Sequence, residues 1–466
     1  MKQLQKGLKA LAIVLLVAIV AVVAINAFDD KLDPGAAAAG EPRAPRVPDV
    51  QNGYFALLAL GADDGTGGAA YAKAWLDEAR AAAREKRIEK RAPVKRAKRP
   101  ELCDPLRVSC LAALRDMRDA KYMKDMKDMK DMKDLKDNVA ETEALLDAWK
   151  EDLARYEKLI VSTAYEEVLD YPLRLESGLP SDVNLGTAQR AYLARAALAV
   201  QAGRTEEAVA QLEKDVAFQR VMLEGSRTLI GRMIAAANYS RDLAFITDML
   251  QTSTADLKPL APRVSEMLKP LPPGAFALEG VFDIEFGAMK YMLLNSTVDD
   301  DGAVDRVIGW LGKHSLFKVN QTINMVYRDY EAAGKLGKLP AAELRAQANV
   351  PVVANDMTWW NYIENPVGNI LLRAGSPSFT GYALRLRDLD ARNRLVALAA
   401  EIFAQDVATE NVAEFVAKSN VRFHDPYSGK PMLWDVASKR LSFKRGQADN
   451  NRATFNVDQG VVFVTL

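Results

Sequence analysis

His314 and His424 are the only histidines among 466 residues, so imidazole general-base chemistry has two places to sit and a multi-histidine metal site has none. His424 opens the stretch HDPYSGKP, in which Asp425 and Pro426 start a turn, Gly429 admits a positive φ and Pro431 closes the motif. Adjacent residues of an extended chain point to opposite faces, so a turn entering a hairpin is a better reading than a catalytic His-Asp pair. His314 has no acidic neighbour in sequence and reads as structural. Ser315-Leu-Phe-Lys318 matches the S-x-x-K of serine acyltransferases that act on cell walls, but the companion S-D-N and K-T-G motifs are missing. Asp283 and Glu285, in FDIEFG, place two carboxyl groups in an apolar helix, as a glycoside hydrolase would need. Two positions apart on a helix they diverge by about 200°, so they cannot share a substrate. Asp299, Asp300 and Asp301 read as a helix cap, since a calcium loop would alternate its ligands.

Two sulfur-bearing patterns remain. Cys103 and Cys110, the only cysteines, flank a short segment bent by Pro105. In an oxidising compartment that spacing predicts a loop-closing disulfide worth roughly 2 to 3 kcal/mol, whereas a redox-active pair normally has two intervening residues. Met126, Met129 and Met132 recur in Lys-Asp-Met triplets, and Met123 precedes them at the same spacing. Thioethers are soft ligands, which makes Cu(I) the one metal worth weighing here. A period of three drifts by about 60° per step around an α-helix, however, and the repeat holds no Cys or His, so a charge-laced surface segment is the plainer reading. No other metal and no cofactor is expected.

The elements that would carry these residues begin with Ala10 to Phe28, an uncharged run preceded by Lys2, Lys6 and Lys9 and followed by Asp29, Asp30 and Asp33. At about 1.5 Å per residue it just crosses a hydrocarbon core of about 30 Å, and the lysine-first asymmetry puts the rest of the chain outside the cytoplasm. Cleavage after Ala24 or Ala27 would make it a signal peptide, but its length favours a retained single-pass anchor, and no cysteine near the junction suggests a lipoprotein. Residues 29–50, with Pro42, Pro45 and Pro48, are expected to be a tether lifting the domain off the membrane.

Hydrophobic residues make up 49% of the chain, and 62 Lys plus Arg balance 62 Asp plus Glu, so the remainder is folded and carries no global field for nucleic acid. The basic run 84–99 lacks aromatic residues for base stacking; a solvated helix end is expected there, with anionic lipid or envelope polymer as the alternative contact. Helical periodicity dominates beyond it. Gln189 to Gln201 and Thr205 to Glu224 form a hairpin around Gly203, with Thr205 as N-cap, and further helices are expected over Phe276 to Leu294, Ala303 to Leu311, Lys318 to Ala333 and Tyr382 to Ala404. In the last of these Leu395, Leu398 and Ile402 form an apolar stripe opposite Arg and Asp. From Val421 the pattern turns to β, over Met432 to Asp435, Leu441 to Phe443, Ala453 to Val457 and Val461 to Val464.

The expected fold is therefore mainly α, with an N-terminal transmembrane helix (1–28), the tether (29–50), a helical region holding the disulfide loop, basic run and methionine repeat (51–138), a helical domain (139–420) and a small C-terminal β-hairpin region (421–466). The segment DPYSGKPMLWDVASKRLSFK, Asp425 to Lys444, resembles the D-P-x-[ST]-G-K-P-[LM]-x-[WY] hairpin that closes many uncharacterised bacterial envelope proteins, and is distantly similar to the C-terminal hairpin of type II secretion pseudopilins. The wider layout, with NGYFALLALGA, a cysteine pair, ARYEKLI, NPVGNILL and this tail, resembles a proteobacterial family of membrane-anchored envelope proteins of unknown function. That resemblance implies an inner-membrane protein with a periplasmic binding or scaffolding domain and other envelope proteins as partners. A pseudopilin would continue its apolar helix into the fold and place a Glu near its start; neither feature is present here, which speaks against filament assembly. An envelope hydrolase or transferase is the rival reading.

Overall fold

A computed structural model of the chain, describing residues 2–41, 43–62, 65, 67–85, 99, 102–111, 146–169, 182–252, 255–295, 316–348, 359–375, 379–446 and 456–466, starts with the apolar run as helix α1, Lys2–Asn26. Within α1, Gln5–Asn26 contains an 18-residue run with a mean hydropathy of 3.0 that the protein leaves uncovered, so one N-terminal helix is long and apolar enough to span a membrane. The methionine repeat, most of the basic run, Asp299 to Asp301, the expected helix Ala303 to Leu311, His314 and Ser315 lie outside the described residues.

The expected tether is instead packed onto the fold as a strap. Its prolines exclude a long helix, as anticipated, but an irregular backbone can still be satisfied by polar groups from elsewhere. Asp33 caps the short helix α2, Pro34–Ala38, through the Gly35 N–H at 2.7 Å, and Ala36 is fully buried. Lys290 donates to the carbonyls of Ala36 at 3.4 Å and Ala37 at 3.2 Å and to that of Ala39, and it pairs with Glu41 at 3.1 Å. Gly40, at φ +75°, lies so close to Gly287 that a Cβ on either residue would stand 2.4 Å from the other's backbone. Further on, the Arg46 and Val47 N–H groups donate to Glu166 at 2.6 and 3.0 Å.

The folded part then runs through α3 (Gly53–Ala59), capped by Asn52, and α4 (Gly68–Arg84), α5 (Lys150–Ile160), α6 (Asp182–Gln201), α7 (Thr205–Gly225) and α8 (Leu229–Thr252). Helices α6 and α7 are the hairpin predicted around Gly203, whose φ is +73°. Thr205 is not its N-cap, however: Arg204 occupies that position without a side-chain bond, and Thr205 is the first helical residue and buried. Next come α9 (Ala261–Met267), α10 (Glu279–Asn295), α11 (Val319–Lys335), α12 (Ala341–Ala346), α13 (Pro366–Gly375), α14 (Phe379–Ala404) and α15 (Val412–Ala417).

Helix α14 is longer than predicted and is interior on more than its apolar stripe. Asp388, Asp390 and Arg392 are buried along with Leu395, Leu398 and Ile402, because the C-terminal strands and α9 cover the face that looked solvent-bound. The acids are provided for locally, Asp390 pairing with Arg394 at 2.9 Å and Asp388 with Arg445 at 3.4 Å, while one Arg392 guanidinium nitrogen meets no acceptor; beside them Asn393 accepts the Tyr239 hydroxyl at 2.5 Å. Burial, with the Arg445 charge adding to it, pushes the Arg392 guanidinium down to about 10.

Four antiparallel strands, β1 (Leu433–Asp435), β2 (Arg440–Lys444), β3 (Val457–Asp458) and β4 (Val461–Thr465), form a sheet in the order β1-β2-β4-β3. Alternation points Leu441 and Phe443 of β2 and Val462 and Val464 of β4 inward against the helices. These residues belong to the same apolar cluster as Tyr54, Trp149, Leu212 and Leu398, so the expected boundaries at 138 and 420 do not separate cores. A second cluster, Ala36, Phe286, Leu293, Ile323 and Val326, joins the strap to α10 and α11.

Cys103 and Cys110 are bonded, with Cα atoms 5.9 Å apart. The loop docks on α8: Asp248, almost fully buried, accepts from the Ser109 hydroxyl and from the Leu111 N–H at 2.8 Å. Replacing both cysteines by serine is expected to lower unfolding stability by about 2.5 kcal/mol, from loop entropy returned to the unfolded chain. Denaturant titration of the two proteins measures it, and an unchanged midpoint would mean that the Asp248 contacts alone hold the loop.

Candidate functional site

The described candidates Lys318, Asp283, Glu285 and His424 each make contacts within the fold. Lys318 is buried and its ammonium pairs with Glu364 at 2.9 Å, a contact that holds the Glu364 carboxyl below the usual carboxylate range. The two carboxylates of FDIEFG diverge as the helix period requires. Asp283 accepts the Gly40 N–H at 2.9 Å and pairs with Arg43 at 3.3 Å, while Glu285 accepts the Leu229 N–H at 2.7 Å at the start of α8. Burial raises the Glu285 carboxyl, and the Leu229 bond opposes that. His424 places its two ring nitrogens 3.1 Å from the carbonyls of Gly429 and Ser419, so the ring ties the turn to the end of the preceding helix. Among the described residues no cluster of three or more His, Cys, Asp or Glu could hold a metal ion.

The HDPYSGKP motif is a docking clip. Asp425 accepts the Tyr427 N–H at 3.0 Å and the Ser428 hydroxyl at 2.8 Å, Gly429 takes φ +66°, and Pro431 leads into the buried Met432 and strand β1. The residue that matters most was not singled out from the sequence: Tyr427, presented by this turn, is buried and donates its hydroxyl to Asp388 of α14 at 2.6 Å. The Gly446 N–H reaches the same carboxylate at 2.7 Å, and the Arg345 guanidinium stacks 3.8 Å from the Tyr427 ring centre. Burial and the neighbouring Asp388 both push the Tyr427 hydroxyl far up, so it stays a donor.

The arrangement with the strongest functional implication is the junction between α1 and the domain. Asn26, the last residue of α1, is buried; its amide donates to the Ile363 carbonyl at 2.8 Å and accepts the Asn365 N–H at 2.7 Å. Asn365, fully buried at φ 52°, is a hub. Its side-chain oxygen accepts from the Lys318 N–H at 2.9 Å and the Gly368 N–H at 3.2 Å, and its amide donates to the Thr322 hydroxyl at 2.9 Å. Three residues beyond the end of α1, Asp29 caps α11 by accepting from Asn320 at 2.7 Å and Gln321 at 3.1 Å, which Lys318 at the N-cap position cannot do. The NPVGNILL segment thus fastens the apolar helix to the fold. Comparisons with protein-family models, curated proteins and solved structures give no match.

Asn365→Ala would strand at least two buried N–H donors and place a Cβ-bearing residue with no compensating side-chain bond in the left-handed region. We expect a loss of about 2 kcal/mol in thermal or denaturant unfolding. Faster proteolysis between Phe28 and Asp33 should accompany it; a melting curve superimposable on that of the parent protein would reject the hub role.

From this junction the strap packs along the groove between α10 and α11, with Ala36 against Phe286, Ile323 and Val326. The groove continues open beyond Ala39 as a cleft of about 290 Å³, floored by Phe282, Phe286, Tyr327 and Tyr330 and bordered by Arg43 and Asp283. Gly280 on its edge faces empty space. A larger hollow of about 570 Å³ lies where α14 ends beside α15, but its cations are occupied locally, Lys418 with Glu414 and Arg422 over the Phe423 ring at 4.4 Å.

Away from both hollows, sequence reading also missed a buried acid pair. Asp215 of α7 and Asp242 of α8 are fully buried inside the helical core. Asp215 accepts the Tyr156 hydroxyl at 2.6 Å and the Gln219 amide at 2.9 Å; Asp242 accepts the Gln189 amide at 2.9 Å. The other oxygen of each carboxyl meets no donor. Burial, and then the Asp215 carboxylate beside it, raise Asp242 well above the ordinary range, and burial raises Asp215 as well.

Proposed function

We propose that the chain is a retained single-pass inner-membrane protein whose helical domain lies on the periplasmic side and serves as a binding or scaffolding module for other envelope proteins. The observation that supports this reading best is the reciprocal bonding of Asn26, the last residue of α1, with residues 363–365: cleavage after Ala27 would discard a buried, specific seat, and cleavage after Ala24 would leave that seat at a raw terminus. Binding is favoured over hydrolysis because the described Lys318, Asp283, Glu285 and His424 are all committed to contacts within the fold. The cleft between α10 and α11 suits an extended polypeptide, because the same groove already accepts the chain's own strap.

The test has two parts. Alkaline extraction and terminal sequencing should find the protein in the membrane pellet with its N-terminal helix attached, and proteases should reach the domain only from the periplasmic face. A benzophenone side chain at position 280, where there is open space, should then give discrete protein adducts in intact membranes, while the same group at the exposed Val436 should not. A soluble mature protein lacking α1, or equal labelling from both positions, would sink the proposal.

A further inference from the structure

We infer that Trp359, Trp360, Ile370 and Leu371 form a lipid-contacting face that seats the domain directly on the bilayer from which α1 emerges. This rests on the anchor reading above and extends it from a span to a second, interfacial contact. Trp359 is 71% exposed, Trp360 41%, Ile370 60% and Leu371 43%. Single exposed aliphatic residues are ordinary, and the described surface has several, Val50 and Val436 among them. Exposed aromatic residues are not scattered in that way: among the described residues, those exposed are Phe28, Trp359 and Trp360, and all three belong to the junction.

Position along the membrane normal follows from the anchor. The 22 residues Gln5–Asn26 span roughly 33 Å as a helix, about the thickness of a hydrocarbon core, which leaves Asn26 at the boundary with the headgroups. The headgroup layer is about 5 to 7 Å deep on each side. Asn26 is bonded to Ile363 and Asn365, which lie between the turn Trp359–Tyr362 and helix α13, and the N–H of Ile363 in turn donates to the Trp360 carbonyl at 2.9 Å. Ile370 and Leu371 are just over one helical turn past Pro366, on the order of 6 to 8 Å along the axis. All four side chains therefore fall within reach of the interfacial layer.

The chemistry of the patch fits that layer. Tryptophan combines a large apolar ring with a polar N–H and concentrates at membrane interfaces for that reason. Here Trp360 keeps its indole N–H bonded to Glu364 at 3.0 Å and leaves the ring outward, with Trp359 edge-on at 5.6 Å. Helix α13 is amphipathic in the sense an interfacial helix requires: Val367, Ile370 and Leu371 lie on one face at i, i+3 and i+4, while Gly368 and Asn369 face the protein. Asn369 secures the inner side by donating to the carbonyls of Asn361 at 2.8 Å and Glu364 at 3.0 Å.

Full-length protein reconstituted into vesicles of phosphatidylcholine and phosphatidylglycerol, with and without bromine on the acyl chains, tests this. Flotation of the vesicles reads the anchor, and quenching of tryptophan emission by the brominated lipid reads the seat. The parent protein should float and be quenched. The Trp359→Phe/Trp360→Phe variant should float and melt as the parent does but lose at least half of the quenching, the remaining tryptophans supplying a background common to both. Ile370→Gln/Leu371→Gln should reduce quenching of the native tryptophans by loosening the contact. Equal quenching in parent and double-Phe variant, or none in either, would overturn the inference while the anchor stands. Failure to float would overturn the anchor and the seat together.

Discussion

Gly287→Leu is expected to expel the strap and to cost about 4 kcal/mol of stability. A Cβ at position 287 would lie 2.4 Å from the Gly40 carbonyl oxygen and 2.9 Å from its Cα, both backbone atoms that cannot swing aside. Forcing extra carbons into a tight contact costs roughly 1 to 3 kcal/mol. Displacing Gly40 also removes its N–H bond to Asp283 and pulls Ala36, Ala37 and Ala39 away from the Lys290 ammonium, and bonds to charged groups contribute about 1.5 to 3 kcal/mol. The effect should be local before it is global. Limited proteolysis should cut within residues 29–47 while the core centred on α14 remains intact, and Gly287→Ala should show the same pattern more weakly. A protease-resistant strap in the leucine variant would show that the segment is held by other contacts.

The second large effect concerns pH. In the native state Asp242 retains its proton well above the value of about 3.9 that it has when unfolded, because burial and Asp215 oppose its ionisation. Between those two values the folded state binds more protons than the unfolded state, so this group's contribution is fully present below about pH 4 and is lost as pH rises. The loss is about 1.4 kcal/mol per pH unit for one proton. Asp242→Asn presents an N–H donor to Asp215 without a proton to lose, and can keep its oxygen facing Gln189. Relative to the parent, it should be nearly neutral at pH 4 and gain stability progressively as pH rises toward 7, by no more than about 1.4 kcal/mol per pH unit. Other buried acids titrate in the same direction, Glu167 being pushed by burial up to about 7 and Asp329 up to about 6, so the difference between the two proteins is the informative quantity. Parallel stability curves across pH 4 to 7 would show that Asp242 retains no extra proton in the folded state.

Both effects arise where a residue's meaning depends on what covers it. The Pro-rich composition of residues 29–50 excludes a long helix, and that much was legible; whether such a segment floats or packs depends on partners such as Glu166, Asp283 and Lys290, more than a hundred residues away. Asp215 sits among Leu212 and Val216 with nothing local to mark it as buried, and only the packing of α7 against α8 brings it to Asp242. The charged side of α14 reads as solvated by the helical period, yet the strands after Val421 cover it and Tyr427 reaches Asp388 through it.

What the sequence by itself determined is everything governed by near neighbours. The uncharged run makes α1, the Gly203 stop separates α6 from α7, the cysteine spacing permits the disulfide, the Asp425 turn forms with Gly429 at positive φ, and alternation places Leu441, Phe443, Val462 and Val464 inward. Helical and strand periods, turn preferences and short-loop closure act over a few residues, so a one-dimensional reading captures them. Tertiary structure alone decided that Asn26 is locked to Asn365, that the strap packs along a groove beside an open cleft, that Asp242 is buried next to Asp215, and that Trp359 and Trp360 lie by the end of α1. These contacts join residues distant in the chain, and their energies come from burial and from unshared donors and acceptors, quantities that exist only once the neighbours are in place.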